Sequence, residues 1–195
     1  MGTSMNTALE SRKGIVTGSL ADVAVASRQS LAETFVGAEV VVIVDTSASM
    51  ESHDSRNGKS RYEVACEELA VLQEAAAGKV AVISFSDAVL FCPAGTPYFF
   101  QGSTDMAAAL HFAKVADVAG MRFVLISDGE PNDGQAALRA ARQFVNRIDT
   151  IYVGPELGPG RKFLRQLAAA SGGQQVTATA AIGLAAAAQK LLAAA

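Results

Sequence analysis

Strand-length apolar runs recur along the chain, separated by segments of helical length. "EVVVIVD" (39–45) ends abruptly on an aspartate. "KVAVISFS" (79–86), "RFVLIS" (122–127) and "IDTIYVG" (148–154) share its β-branched character. Runs this apolar predict strands covered on both faces. "AVLFC" (88–92) follows the second run after a short polar break, which predicts an antiparallel partner because a parallel one needs a long crossover. "GGQQVTA" (172–178) predicts a short last strand.

The intervening segments read as helices. Ser60-Arg-Tyr-Glu63 is a capping box, and the helix it opens runs to about Ala76, before Gly78. Further helices are expected over about 104–118, 135–147 and 161–171, and an alanine-rich one over about 180–193. Ahead of the first strand, Leu20, Val23, Ala24, Ser27 and Leu31 sit at helical spacing and predict one helix over 15–34. Strands alternating with helices predict an α/β fold: a doubly wound, mainly parallel sheet between two helix layers. No linker interrupts the pattern, so one domain is expected.

Composition narrows this picture. The 195 residues suffice for a full core. Half are hydrophobic but only 6% are aromatic, which suggests alanine-rich helices lying close on a sheet of Val and Ile. The net charge of -3 comes with no basic stripe, which argues against a nucleic-acid partner. No apolar run reaches membrane-spanning length. The opening "MGTSMNTALE" has no apolar signal core, and Asn6 breaks the myristoylation pattern. Met5 is a candidate natural start. Cys66, on a helical stripe with Tyr62, Leu69 and Gln73, is expected to face the core, and Cys92 precedes Pro93. Neither lies in a CxxC pair, so both read as reduced structural thiols. A cytoplasmic location without membrane attachment is the resulting expectation.

In a doubly wound sheet, ligands bind beyond the carboxyl ends of the strands, where the winding reverses. The first strand delivers Asp45, Thr46, Ser47 and Ser49 to that rim, and the fourth delivers Ser127, Asp128 and Glu130. The loop "GSTD" adds Gly102, Ser103, Thr104 and Asp105. Taken singly, Asp and Ser at such places are turn or capping residues. Together they put small oxygen ligands on one rim from separate segments. There is no phosphate loop, and "GPGRKF" (158–163) lacks the third glycine of a dinucleotide motif.

These motifs resemble the von Willebrand factor A-type domain. Asp45-Thr46-Ser47-Ala48-Ser49 fits its D-x-S-x-S motif, Thr104 its second motif and Asp128 in "LISDGEP" its third. The order of elements fits along 38–193. The resemblance implies a three-layer, Rossmann-like sheet of order 3-2-1-4-5-6 with the third strand antiparallel, so that Asp45 and Asp128 end neighbouring strands. Residues 38–195 would form this domain, with 1–37 an extension carrying an extra N-terminal helix. The resemblance also implies a metal-ion-dependent adhesion site. In it Ser47, Ser49 and Thr104 would bind Mg²⁺ directly, while Asp45 and Asp128 act largely through water. Mg²⁺ wants six hard oxygen ligands and keeps some water. Mn²⁺ or Ca²⁺ is an alternative; Zn²⁺ would ask for His or Cys. His53 reads as a solvated loop residue, His111 as packing or surface, and Glu130 and Asp105 as solvated loop carboxylates. Ala48 stands where the family usually has Gly, so its backbone should avoid positive φ. The polar loop 51–59 is longer than a minimal one.

Two functions follow. The first is a metal-dependent protein-binding module that takes a partner's Asp or Glu carboxylate, in a bacterial, intracellular assembly beside an ATPase or chelatase. The second is a metal-dependent phosphohydrolase with Asp45 as nucleophile. The haloacid-dehalogenase pattern needs D-x-D, whereas position 47 is Ser, and no GxSxG elbow is present. The binding module is therefore preferred to an enzyme.

Overall fold

The computed structural model describes residues 14–155 and 157–177. The helix expected over 180–193 lies outside them. Six strands form one sheet: β1 (Val40–Asp45), β2 (Val80–Phe85), β3 (Val89–Phe91), β4 (Arg122–Ser127), β5 (Ile148–Tyr152) and β6 (Gln175–Thr177). Their order is β3-β2-β1-β4-β5-β6. All pairings are parallel except β2 with β3, which is antiparallel as the short break required. The three-layer α/β architecture and the 3-2-1-4-5-6 order are thus those expected.

Every residue of β1 and β2 is buried, which explains their unbroken apolar runs. On one face Val41, Ile43, Phe85, Phe123 and Leu125 meet α4 (Met106–Ala113), α5 (Gly134–Ala141) and α6 (Gly160–Ala170). On the other, Val40, Val42, Val44 and Val82 meet α3 (Arg61–Ala75) through Val64, Ala65, Leu69 and Leu72. The predicted capping box is present: Ser60 accepts from the Glu63 N–H, and Glu63 accepts from the Ser60 N–H. Small helix residues such as Ala109, Ala137 and Ala141 are fully buried and let the helices approach the sheet closely.

The N-terminal helix differs from the single one expected. It is two short helices, α1 (Leu20–Ser27) and α2 (Leu31–Val36). Arg28 adopts left-handed φ of 57°, ends α1, and lets a second capping box, Ser30 with Glu33, start α2. The continuous apolar spacing masked that S-x-x-E signal. The pair is anchored on the β3 side: Ala21 N–H donates to Pro93 O, and Phe35 packs edge-on against Phe91 at 5.5 Å between centroids. Helix α4 starts at Met106, capped by Asp105, and its last turn continues as a 3-10 turn over Lys114–Ala116. Helix α5 ends at Ala141, short of the expected 147, and β6 covers only 175–177. Cys66 is half-buried rather than core-facing; both cysteines are free thiols. No helix among the described residues is long and apolar enough to cross a membrane.

The "GPGRKF" segment has a packing role. A Cβ on Gly160 would lie 1.8 Å from the Asp128 carbonyl oxygen, and one on Gly129, at φ 77°, 2.3 Å from the Gly160 oxygen. The start of α6 therefore lies backbone to backbone against the turn that carries Asp128, an approach open only to glycine. Gly160→Ala should cost about 1–3 kcal/mol by overpacking, read as a lower urea midpoint with an unchanged m-value.

Candidate functional site

The rim site sits where β1 and β4 lie side by side, with Val44 opposite Ile126. Chain continues from β1 toward β2 on one side and from β4 toward β5 on the other, which opens a crevice between their carboxyl ends.

Asp45, the last residue of β1, is fully buried. Its Oδ1 accepts from the Ser47 N–H at 2.9 Å, and its Oδ2 accepts from the Ser127 hydroxyl at 2.6 Å. The Asx turn through Ser47 redirects the chain so that the next hydroxyls face one another: Ser47 Oγ and Ser49 Oγ are 3.2 Å apart. Thr46 is a tether, with its hydroxyl on the Phe85 carbonyl at 2.9 Å. Ala48 starts a 3-10 turn, Ala48–Glu51, and is not among the residues with positive φ. The family's glycine is dispensable here because this turn does not ask for it.

Thr104 is nearly buried and held by Asn132, whose side-chain oxygen accepts from the Thr104 N–H at 3.0 Å. Asn132 Nδ2 also donates to Ser103 Oγ, and its backbone N–H donates to Thr104 O. The loop before Thr104 is tied to the β1 turn: Ala48 N–H donates to Gly102 O, and Gln101 N–H to Thr46 O. Backbone hydrogen bonds thus bring the first and second motifs together. The third motif joins through strand pairing and the Ser127–Asp45 bond. Asp128, 1% exposed, accepts from the Glu130 N–H on Oδ1. Its Oδ2 accepts from Arg61 Nη1 at 2.6 Å.

Two carboxylates this buried and this near repel. Burial raises the Asp45 carboxyl to about 6 and the Asp128 charge adds to the rise, while hydrogen bonds from Ser127 and Ser47 oppose it. Arg61 supplies compensating charge. Its guanidinium, held above its ordinary pKa by the hydrogen bond to Asp54 and then by Asp128, forks onto Asp54 at 2.8 and 2.7 Å. Arg61, Ser127 and Asn132 complete the constellation around the expected ligands. Ser127 stood next to the motif, but Arg61 and Asn132 were not singled out by sequence.

The other expected groups fall into place as structural ones. His53, His111 and Glu130 are exposed, and Asp105 caps α4 through the Ala108 N–H. Among the described residues no group of three or more His, Cys, Asp or Glu is arranged to hold a metal ion. A site here would use hydroxyl oxygens, as the motif implies. The donor set suits a hard cation: neighbouring hydroxyls in front, and two buried carboxylates behind, of which Arg61 offsets one. Next to it, the loop over 93–103 presents Tyr98 (57% exposed) and Phe100 (45% exposed). Phe99 between them turns inward onto Tyr62 at 4.8 Å.

No family model and no curated protein matches the sequence. Solved structures do match in fold. An aerotolerance-related membrane protein from Bacteroides fragilis is 18% identical over 82% of this chain and all of its own, with a TM-score of 0.66. A von Willebrand factor type A structure from Catenulispora acidiphila is 20% identical over 78% of this chain, with a TM-score of 0.58. This chain spans only 42% of that one. The manganese-loaded TRAP protein of Plasmodium vivax is 17% identical over 77% of this chain and 72% of its own, with a TM-score of 0.55. With the strand order and the antiparallel β3, these matches establish the von Willebrand factor A fold.

The raised Asp45 pKa has a stability consequence with a definite sign. Between its ordinary value of 3.8 and about 6 the folded chain holds a proton that the unfolded chain has lost. Stability therefore falls as pH rises through that window. In EDTA, the urea midpoint of the wild type should decline between pH 4 and pH 7.5 relative to that of Asp45→Asn. A difference that stays constant with pH would contradict the assignment.

Proposed function

We propose that the chain is a protein-binding module that depends on a divalent cation and captures an Asp or Glu side chain of its partner at the β1–β4 rim. Residues 38–195 would make up the binding domain, with 1–37 as an extension. Ser47, Ser49 and Thr104 would hold the ion directly, and Asp45 and Asp128 would support it through water. Mg²⁺ is the expected ion, with Mn²⁺ and Ca²⁺ as alternatives. The observation that carries the reading is the close approach of the Ser47 and Ser49 hydroxyls, 3.2 Å apart, in front of two buried carboxylates.

When bound, the ion would supply an electrophilic position for the partner carboxylate. Neutral hydroxyls around it leave more of its charge for that bond than carboxylates would. The chain's residues position and insulate: Asp45 orients Ser47 through its N–H, Ser127 fixes Asp45, and Asn132 holds the Thr104 backbone. Tyr98 and Phe100, exposed on the loop that Gln101 and Gly102 tie to the β1 turn, offer apolar surface of the kind common at protein interfaces. The manganese-loaded TRAP structure supports a divalent ion on this fold. An intracellular ATPase or chelatase-like assembly remains the proposed setting.

Hydrolysis through Asp45 is not favoured. A nucleophilic carboxylate needs a free, accessible oxygen, whereas both Asp45 oxygens accept hydrogen bonds in a fully buried position.

Calorimetric titration with Mg²⁺ and Mn²⁺ should show saturable binding that Ser47→Ala and Asp128→Ala each weaken roughly tenfold or more. Absence of binding, or binding unchanged in both variants, would refute the site. In pull-downs, EDTA and Asp45→Ala should remove the same partner.

A further inference from the structure

Arg61 is the first residue of α3, where the helix dipole disfavours a cation, yet its side chain is only 10% exposed. Carboxylates on either side hold it there. Its Nη1 donates to Asp128 Oδ2, 67 positions further along the chain, while Nε and Nη2 fork onto Asp54, seven positions before it. Asp54 is 43% exposed at its side chain and Asp128 only 1%, so the bridge runs from solvent into the site.

We propose that Arg61 is a resident counter-ion that takes the place of the divalent cation at Asp128 and thereby sets how tightly the site binds metal. This inference rests on the metal-site reading above. Without metal, Asp45 and Asp128 together carry two buried negative charges, and Arg61 offsets one of them. Each Asp128 oxygen then already has a protein donor, Arg61 on Oδ2 and the Glu130 N–H on Oδ1. An arriving ion meets a site half neutralised, in which a positive charge is already bonded to one of its supporting carboxylates. Like charges brought close together in a protein interior, where screening is weak, repel. Metal binding is therefore weakened, and the metal-free fold is spared an uncompensated carboxylate pair. Asp54 holds the guanidinium from the solvent side and moderates this effect.

The test uses Mn²⁺ alone as the probe, with titration and thermal melting of the full chain in Mn²⁺ and in EDTA. Arg61→Met should bind Mn²⁺ roughly tenfold more tightly or better, and Mn²⁺ should raise its Tm by more than it raises that of the wild type. Asp54→Asn, which removes a negative charge and leaves the guanidinium to Asp128 alone, should bind Mn²⁺ more weakly. A purely structural staple would lower Tm equally in Mn²⁺ and EDTA. That result, or equal or weaker Mn²⁺ binding by Arg61→Met, overturns the proposal while leaving the metal site standing. Mn²⁺ binding by neither wild type nor Arg61→Met overturns both. If Arg61→Met does not fold in either condition, the Asp54→Asn affinity decides: weaker binding supports the proposal, and unchanged or tighter binding overturns it.

Discussion

Asp45 ends β1 and Asp128 follows the last residue of its parallel neighbour β4, and neither carries appreciable exposure. Side by side in a medium that screens poorly, their charges repel, and the surrounding structure can be understood as the means of tolerating them. Ser127 and the Ser47 N–H each bond one oxygen of Asp45, the Glu130 N–H bonds Asp128, and Arg61 reaches in from α3. The strands cannot end elsewhere without moving both carboxylates, because their register is pinned by fully buried valines and isoleucines on either face. Rigid apolar strands thus hold a strained electrostatic arrangement in place, which is what a pre-formed cation site requires.

The hydroxyl-bearing loops are fixed by backbone bonds rather than by bulk. Ala48 to Gly102, Gln101 to Thr46 and Asn132 to Thr104 join three loops distant in sequence into one surface. The turn after β4 is pressed against the start of α6 through Gly129 and Gly160, so the position of Asp128 depends on a contact outside the motif. This explains Gly160 in "GPGRKF" as a packing glycine.

Much of this was legible in the sequence. The unbroken Val and Ile runs placed the strands, the short break placed β3 antiparallel, and Ser60 with Glu63 marked the start of α3. The D-x-S-x-S spacing and the following Thr104 and Asp128 pointed to one rim. What escaped depended on contacts that pattern does not encode. Arg61 reads as an ordinary solvated residue at a helix start; only the fold brings it to Asp128, 67 residues on. Asn132 reads as a turn residue until its bond to Thr104 is seen. The break at Arg28 was hidden because Leu31 kept helical spacing across it, although Ser30 and Glu33 carried the capping signal.

The central claim is that the rim oxygens form a site for a divalent cation. A crystal grown or soaked with Mn²⁺ tests it most directly through anomalous scattering. The account predicts a single strong peak within bonding distance of the Ser47 and Ser49 hydroxyls, about 2.0–2.6 Å for a hard divalent ion and oxygen, with Thr104 beside it. A peak only on exposed carboxylates such as Glu130 or Asp133, or none at the rim at saturating Mn²⁺, would contradict it.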